Sequence, residues 1–152
     1  MSDTPTSTPV RILIAEDDAD HRFLTVRALR DLRGIDVEID TVADGAEALD
    51  YVHGRHPFTD RQLPHLLLLD IKMPKVDGLA VLREVKSDPQ LRTIPAVVLS
   101  SSDRPEDIAT AYELGGNSFV TKPATASGFR EGLRQLGEYW AGLASLPETP
   151  AT

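Results

Sequence analysis

Three apolar runs and one short mixed run in this sequence end in residues that can do chemistry. Glu16 and Asp17 follow Val10 to Ala15, Asp70 follows Leu66 to Leu69, Ser100 follows Ala96 to Leu99, and Lys122 follows Asn117 to Thr121. Singly, each has a bland reading: an Asp after an apolar run is usually a turn residue or a helix cap, Lys122 a solvated surface lysine, Ser100 an ordinary strand-end hydroxyl. Together they make three acids, a hydroxyl and an ammonium, each at the end of a run that a core would bury. A carboxylate inside a buried strand carries a large desolvation cost, so Asp70 must sit where its run emerges. Crowded carboxylates raise one another's pKa, and an ammonium offsets part of that charge. The chemistry open to such a set is that of a reactive carboxylate, and Asp70 is read as the reactive group.

Those ends need a scaffold that brings them to one side. Leu66 to Leu69, four leucines without alternation, suits a strand buried on both faces of a parallel sheet. Val10 to Ala15 and Ala96 to Leu99 read the same way, Val37 to Val42 alternates like a strand with one exposed face, and Asn117 to Thr121 is a short fifth strand. Between them lie helix signals. Ala19 to Arg33 carries Phe23, Val26, Leu29 and Leu32 about one turn apart, with Gly34 as the stop. Asp44 caps a second helix bearing Ala46, Leu49 and Val52 that ends at Gly54, and His56 to Pro64 is a loop. Asp77 caps a third, with Leu79, Leu82 and Val85 on one face, broken at Ser87-Asp88-Pro89. A fourth follows Asp103 and Pro105 and finishes at Leu114-Gly115-Gly116. Lys122-Pro123 closes strand five with a bond that can be cis, and a last helix runs from about Thr125 past Trp140. Five βα units imply a doubly wound α/β fold, a parallel sheet with helices on both faces, whose strand ends form one rim.

Composition sets the class. At 152 residues, with 41% apolar and 26% charged side chains, the chain suits one globular domain, read as residues 10–143 between an N-terminal tail (1–9) and a C-terminal tail (144–152). Met1 to Pro9 is rich in Ser, Thr and Pro without an apolar core, so it reads as a disordered tail rather than a signal peptide. No apolar run approaches the ~20 residues of a bilayer span, which argues against a membrane partner. The absence of cysteine excludes disulfides and thiolate chemistry and agrees with a cytoplasmic location. A net charge of −8 argues against nucleic acid as a partner.

The acid pair Glu16-Asp17 after strand one, the Asp70-x-x-Met73-Pro74-x-x-Asp77-Gly78 stretch, Ser100 ending strand four and Lys122-Pro123 ending strand five resemble the receiver domain of bacterial two-component response regulators. The resemblance spans about Val10 to Trp140. It implies the flavodoxin-like strand order 2-1-3-4-5, with Asp70 as acceptor of a phosphoryl group from a sensor histidine kinase or a phosphotransfer protein. It implies a Mg2+ ion held by Glu16, Asp17, Asp70 and the backbone carbonyl of Lys72, a cation that hard oxygen donors suit. Lys122 and Ser100 would each hold a phosphoryl oxygen, and Ser100 with Phe119, the switch aromatic, would move one surface. Phe119 stands where the family often has tyrosine and lacks its hydroxyl. Lys72 and Ser102 match positions that tune phosphoryl lifetime.

Phe129, Leu133, Leu136, Trp140 and Leu143 are spaced 4, 3, 4, 3, which is an a/d seam. Either all five pack on the sheet, or Trp140 and Leu143 join a homodimer through strand five and helix five, the arrangement expected here. The YVHGRHPF stretch and Tyr139-Trp140 resemble the single-domain regulators that accompany phytochromes and related sensor kinases, a resemblance that implies a sensor histidine kinase, the phytochrome type among them, as partner. His21, His53, His56 and His65 match no metal spacing and read as structural or solvated. Arg22, Arg27, Arg30 and Arg33 read as the wet face of helix one. Two other classes compete. A Mg2+ phosphohydrolase with an aspartyl nucleophile would carry an acid where Lys72 stands, and a pseudo-receiver binding module would not need the crowded acids.

Overall fold

A computed structural model describes residues 8–149. Five strands, β1 (Val10–Ala15), β2 (Val37–Val42), β3 (Leu66–Leu69), β4 (Ala96–Ser100) and β5 (Ser118–Thr121), form one parallel sheet in the order β2-β1-β3-β4-β5. Between and after them come α1 (Ala19–Arg30), α2 (Gly45–His53), α3 (Gly78–Ser87), α4 (Pro105–Glu113) and α5 (Ala126–Gly137). The parallel sheet with helices on both faces is the one expected from the alternation of signals, and its order is the flavodoxin-like one that the family resemblance implies. The caps explain why the helices start where they do. Asp44 accepts from the Glu47 amide at 2.7 Å and Asp77 from the Ala80 amide at 2.8 Å, each satisfying a donor that has no partner inside the helix. Gly54 closes α2 with φ 67°, a left-handed conformation that suits glycine.

Strand alternation sorts the core into two layers. Leu13, Ala15, Leu67, Leu69, Ala96 and Val98 pack against α2, α3 and α4 through Ala48, Val52, Val81, Leu82, Val85 and Ala111. Ile12, Ile14, Leu66, Leu68 and Val97 pack against α1 and α5 through Leu29 and Leu136, and Leu99 meets Ala28, Phe129 and Leu133. The four leucines of β3 are therefore covered on both sides. Full burial stabilises each by roughly 1.5–3 kcal/mol, which anchors the strand that carries Asp70.

Several local expectations are corrected. Helix α1 ends at Arg30, not Arg33, and buries Thr25, Ala28 and Leu29. Phe23 is 62% exposed, because at 3.6 residues per turn it lies about 200° from Thr25. The cis bond is His56–Pro57; Lys122–Pro123 is trans. At the C-terminal end α5 stops at Gly137, and Glu138–Leu143 continues as one wider π turn, closed by the Ala144 amide donating to the Tyr139 carbonyl at 2.6 Å. The seam spacing breaks there: Phe129, Leu133 and Leu136 are buried, Trp140 is half-buried, and Leu143 is 76% exposed. Helix α5 crosses the end of α1 very closely at the break, where a Cβ on Gly137 would lie 2.8 Å from Leu29 and 2.7 Å from Leu32 just beyond the helix.

The C-terminal segment folds back to the start of β1. The Arg11 guanidinium donates from Nε to the Leu63 carbonyl at 2.9 Å and from Nη2 to Thr149 Oγ1 at 3.1 Å. Of the expected tails, residues 1–7 and 150–152 lie outside the described residues, and Thr149 is held beside Arg11. Among the described residues no helix is long and apolar enough to cross a membrane.

Candidate functional site

The carboxyl ends of β1, β3, β4 and β5 meet on one rim, and the backbone register sets each side chain there. The Asp70 amide donates to the Ala15 carbonyl at 3.0 Å, which puts Asp70 beside Glu16. The Lys122 amide donates to the Ser100 carbonyl at 2.7 Å, which ties β5 to β4. Glu16 is 3% exposed and Asp70 9%, while Asp17 is exposed at the mouth. Ligand atoms of Glu16, Asp17 and Asp70 all lie within 4.8 Å of one another. Hard oxygen donors this crowded suit a small divalent cation, so the donor set fits Mg2+.

Lys122, itself buried, is the cation built into the rim. Its Nζ donates to Glu16 Oε1 at 2.5 Å and stands 3.5 Å from Asp70 Oδ2 and 3.0 Å from His21 Nδ1. Burial pushes the Glu16 carboxyl up to about 7; the Lys122 ammonium pulls the other way, and the Asp70 carboxylate adds to the rise. Asp18 does different work. It caps α1, accepting from the Asp20 and His21 amides at 2.9 and 3.0 Å, and its own amide donates to Glu16 Oε2 at 3.2 Å. The α1 terminus thereby orients the buried carboxylate.

Gly78 fixes the other flank. Its amide donates to the Ile71 carbonyl at 2.8 Å, and a Cβ there would fall 1.9 Å from the Asp70 carbonyl oxygen. Only glycine lets α3 start this close to the loop after β3. Ser100 is fully buried, and its Oγ accepts from the Ser102 amide at 3.1 Å.

The family model of the response regulator receiver domain matches residues 12–134. The chain belongs to this family. The receiver is 39% identical over 139 residues to the probable methanogenesis regulatory protein FilR2 of Methanothrix harundinacea, covering 91% of this chain and 88% of that one. It is 31% identical over 147 residues to the response regulator Rcp1 of Synechocystis, covering 97% and 99%. The Mn(2+)-bound form of Rcp1 superposes with a TM-score of 0.89 at 31% identity, over 92% of this chain and 100% of that one. The phosphorylated cyanobacterial phytochrome response regulator RcpA gives a TM-score of 0.89 at 37% identity, over 93% and 100%.

Of the residues singled out in the sequence, the receiver gathers Glu16, Asp17, Asp70 and Lys122 into one cluster, with Ser100 buried at the end of the adjoining strand. Lys72 is exposed in the loop after β3. Phe119 is half-buried against the α2–α4 layer, and its amide donates to the Tyr112 hydroxyl at 3.1 Å. Two neighbours escaped the sequence reading. His21, read as structural or solvated, reaches Lys122 from the first turn of α1, and its ring lies 5.4 Å from that of Phe129. Tyr112 reaches β5 from α4. For His21 the available signal was its place in the first turn of a helix that starts at the acidic rim; for Tyr112 there was none. Arg22, read as part of a wet face, donates instead to the Glu16 carbonyl at 2.8 Å.

Proposed function

We propose that this receiver is a single-domain response regulator that accepts a phosphoryl group on Asp70 from a sensor histidine kinase. The observation that carries the reading is the buried acid cluster with its own ammonium: Lys122 bonded to Glu16 and 3.5 Å from Asp70, with Asp17 completing the group. A Cα scaffold alone would not need two buried carboxylates, whose desolvation is costly.

An Asp70 carboxylate oxygen attacks the phosphorus of a phosphohistidine; the P–N bond breaks, the imidazole leaves with that electron pair, and a mixed carboxylic–phosphoric anhydride remains on Asp70. Glu16, Asp17, Asp70 and the Lys72 carbonyl would hold Mg2+, whose positive charge would let two anions meet. Lys122 is placed to exchange its longer approach to Asp70 for a phosphoryl oxygen. The Ser100 hydroxyl, whose oxygen already accepts an amide proton, keeps its own proton to donate to another. Phe119 then turns as the β4–α4 loop follows Ser100. The protein is thus a phosphoacceptor that catalyses its own transfer, and Lys72, in place of an acid, disfavours a phosphohydrolase.

Likeness to the phytochrome response regulator RcpA over its full extent supports a phytochrome-type kinase as partner. A homodimer through β5 and α5 is supported by the exposure of Tyr139 and Leu143 just beyond α5. Sedimentation at high micromolar concentration, with and without phosphorylation, tests it, and a monomer in both refutes it. For the acceptor, incubation with Mg2+ and a small acyl-phosphate donor should add one phosphoryl mass. That gain should vanish in Asp70→Asn and without Mg2+. An unchanged wild-type mass, under conditions that modify another receiver, overturns the reading in favour of a phosphorylation-independent binding module.

A further inference from the structure

Helix α4 begins without a side-chain cap. Arg104 holds the N-cap position but bonds no helix amide, and Pro105 opens the first turn. Arg104 instead pairs with Glu106 at 2.7 Å. What fixes the turn is Ser102, nine-tenths buried two residues beyond β4. Ser102 Oγ donates to Asp107 Oδ2 at 2.6 Å and accepts from the Arg104 amide at 3.3 Å, and the Ser102 amide donates to Ser100 Oγ at 3.1 Å. An unbroken run of bonds therefore links the fully buried Ser100 hydroxyl to a carboxylate in the first turn of α4.

The donors in this run have one consistent direction. A hydroxyl has a single proton and two lone pairs. The Ser102 proton goes to Asp107, a short bond strengthened by the acceptor's charge, which leaves a lone pair for Arg104. At Ser100 the incoming amide takes a lone pair and leaves the proton unspent. A carboxylate in the first turn is also favoured by the helix dipole, so Asp107 has reason to stay where Ser102 can reach it.

We propose that Asp107 is a positioning residue for the switch: it holds Ser102, and through the Ser102 amide it holds Ser100, so that movement of Ser100 toward a phosphorylated Asp70 is delivered to the first turn of α4. This rests on the reading of Ser100 as a phosphoryl contact. The run takes the place of a cap, so displacing Ser102 removes the bonds that fix the start of the helix.

The test is hydrogen exchange over α4 in the full chain, before and after phosphorylation by an acyl-phosphate donor with Mg2+. Variants are compared at equal phosphoryl occupancy read by intact mass. In the wild type, exchange over Pro105–Glu113 should change on phosphorylation. In Asp107→Ala it should be roughly tenfold faster at rest, the scale of one lost charge-assisted bond, and phosphorylation should change it little further. Ser102→Ala cuts the same run at its middle and should behave alike. Asp107→Asn keeps an oxygen that accepts from Ser102 and should restore the response, whereas Asp107→Leu, at least as large but without an acceptor, should not; a response restored by Asp107→Leu would assign Asp107 a space-filling role and overturn the proposal. An α4 that responds in Asp107→Ala and Ser102→Ala as in the wild type overturns this proposal alone. A wild type that gains no phosphoryl mass overturns the phosphoacceptor reading and this proposal with it.

Discussion

Gly78→Ala would place a methyl carbon 1.9 Å from the Asp70 carbonyl oxygen and 2.8 Å from its carbonyl carbon. Ordinary contact begins near 3.4 Å, so either the loop after β3 or the start of α3 must retreat by about 1.5 Å, well beyond what a packed interior absorbs. Both obstacles are backbone, and neither can rotate away. The cost should reach about 3 kcal/mol, the upper range for overpacking, and lower Tm by about 6–12 °C for a domain of this size. Because the retreat moves the acceptor itself, phosphorylation should slow by about 100-fold, the scale of a 1 Å misplacement in a reacting group. The comparison is Gly132→Ala in the middle of α5, where a Cβ would meet nothing within 4 Å. Losing glycine's freedom in the unfolded chain should stabilise that variant by roughly 0.5–1 kcal/mol. Calorimetry gives the two Tm values, and intact mass after timed exposure to an acyl-phosphate donor gives the rates. A Gly78→Ala protein with the wild-type Tm and rate would refute the close approach of α3 to Asp70.

Lys122→Met leaves the buried Glu16 and Asp70 without their cation and should cost about 3 kcal/mol. Mg2+ should recover more stability in that variant than in the wild type by mass action, and equal recovery in denaturant titrations would count against the shared charge. Tyr51→Phe removes a 2.5 Å bond from the phenol to Asp40 Oδ2 and should cost about 1–2 kcal/mol in urea unfolding. His65 accepts the Arg11 amide at 2.9 Å on Nδ1, and burial, with Arg11 adding to it, holds its pKa below the ordinary 6.5. The folded state thus disfavours the protonated ring, so the stability it contributes is present above pH 6.5 and lost as pH falls below that. His65→Asn, which keeps an acceptor, should flatten the loss seen by chemical denaturation between pH 7 and 5; an unchanged slope would assign that loss to other groups.

The sheet and the acid rim were legible because single residues carried them. Four leucines in a row have no reading as an exposed strand, an Asp directly after them has one affordable place, and Asp44, Asp77 and Gly54 mark helix ends by local hydrogen bonding alone. What stayed hidden depends on distant packing. Phe23 fits the apolar period of α1, yet the buried stripe is set by where α5 crosses, and Phe23 falls outside it. The a/d spacing after Phe129 continues in sequence past Gly137, but there α5 meets Leu29 and Leu32 too closely, the helix widens, and the stripe turns away from the core. His21 and Tyr112 touch residues 101 and 7 positions away. Only the assembled fold brings the imidazole to Lys122, and a lone phenol gives no sign that its hydroxyl will meet a backbone amide.

The bond from Arg11 to Thr149 spans 138 positions of sequence and returns the chain to the foot of β1. Both described ends consequently leave the molecule at the pole opposite the acid rim. A fluorophore, an affinity handle or a surface linker attached at Thr8 or Thr149 would stand at the far end of the sheet from Asp70. For immobilised binding measurements this sets the orientation in advance: tethered at Thr8 or Thr149, the receiver presents its acid rim to solution.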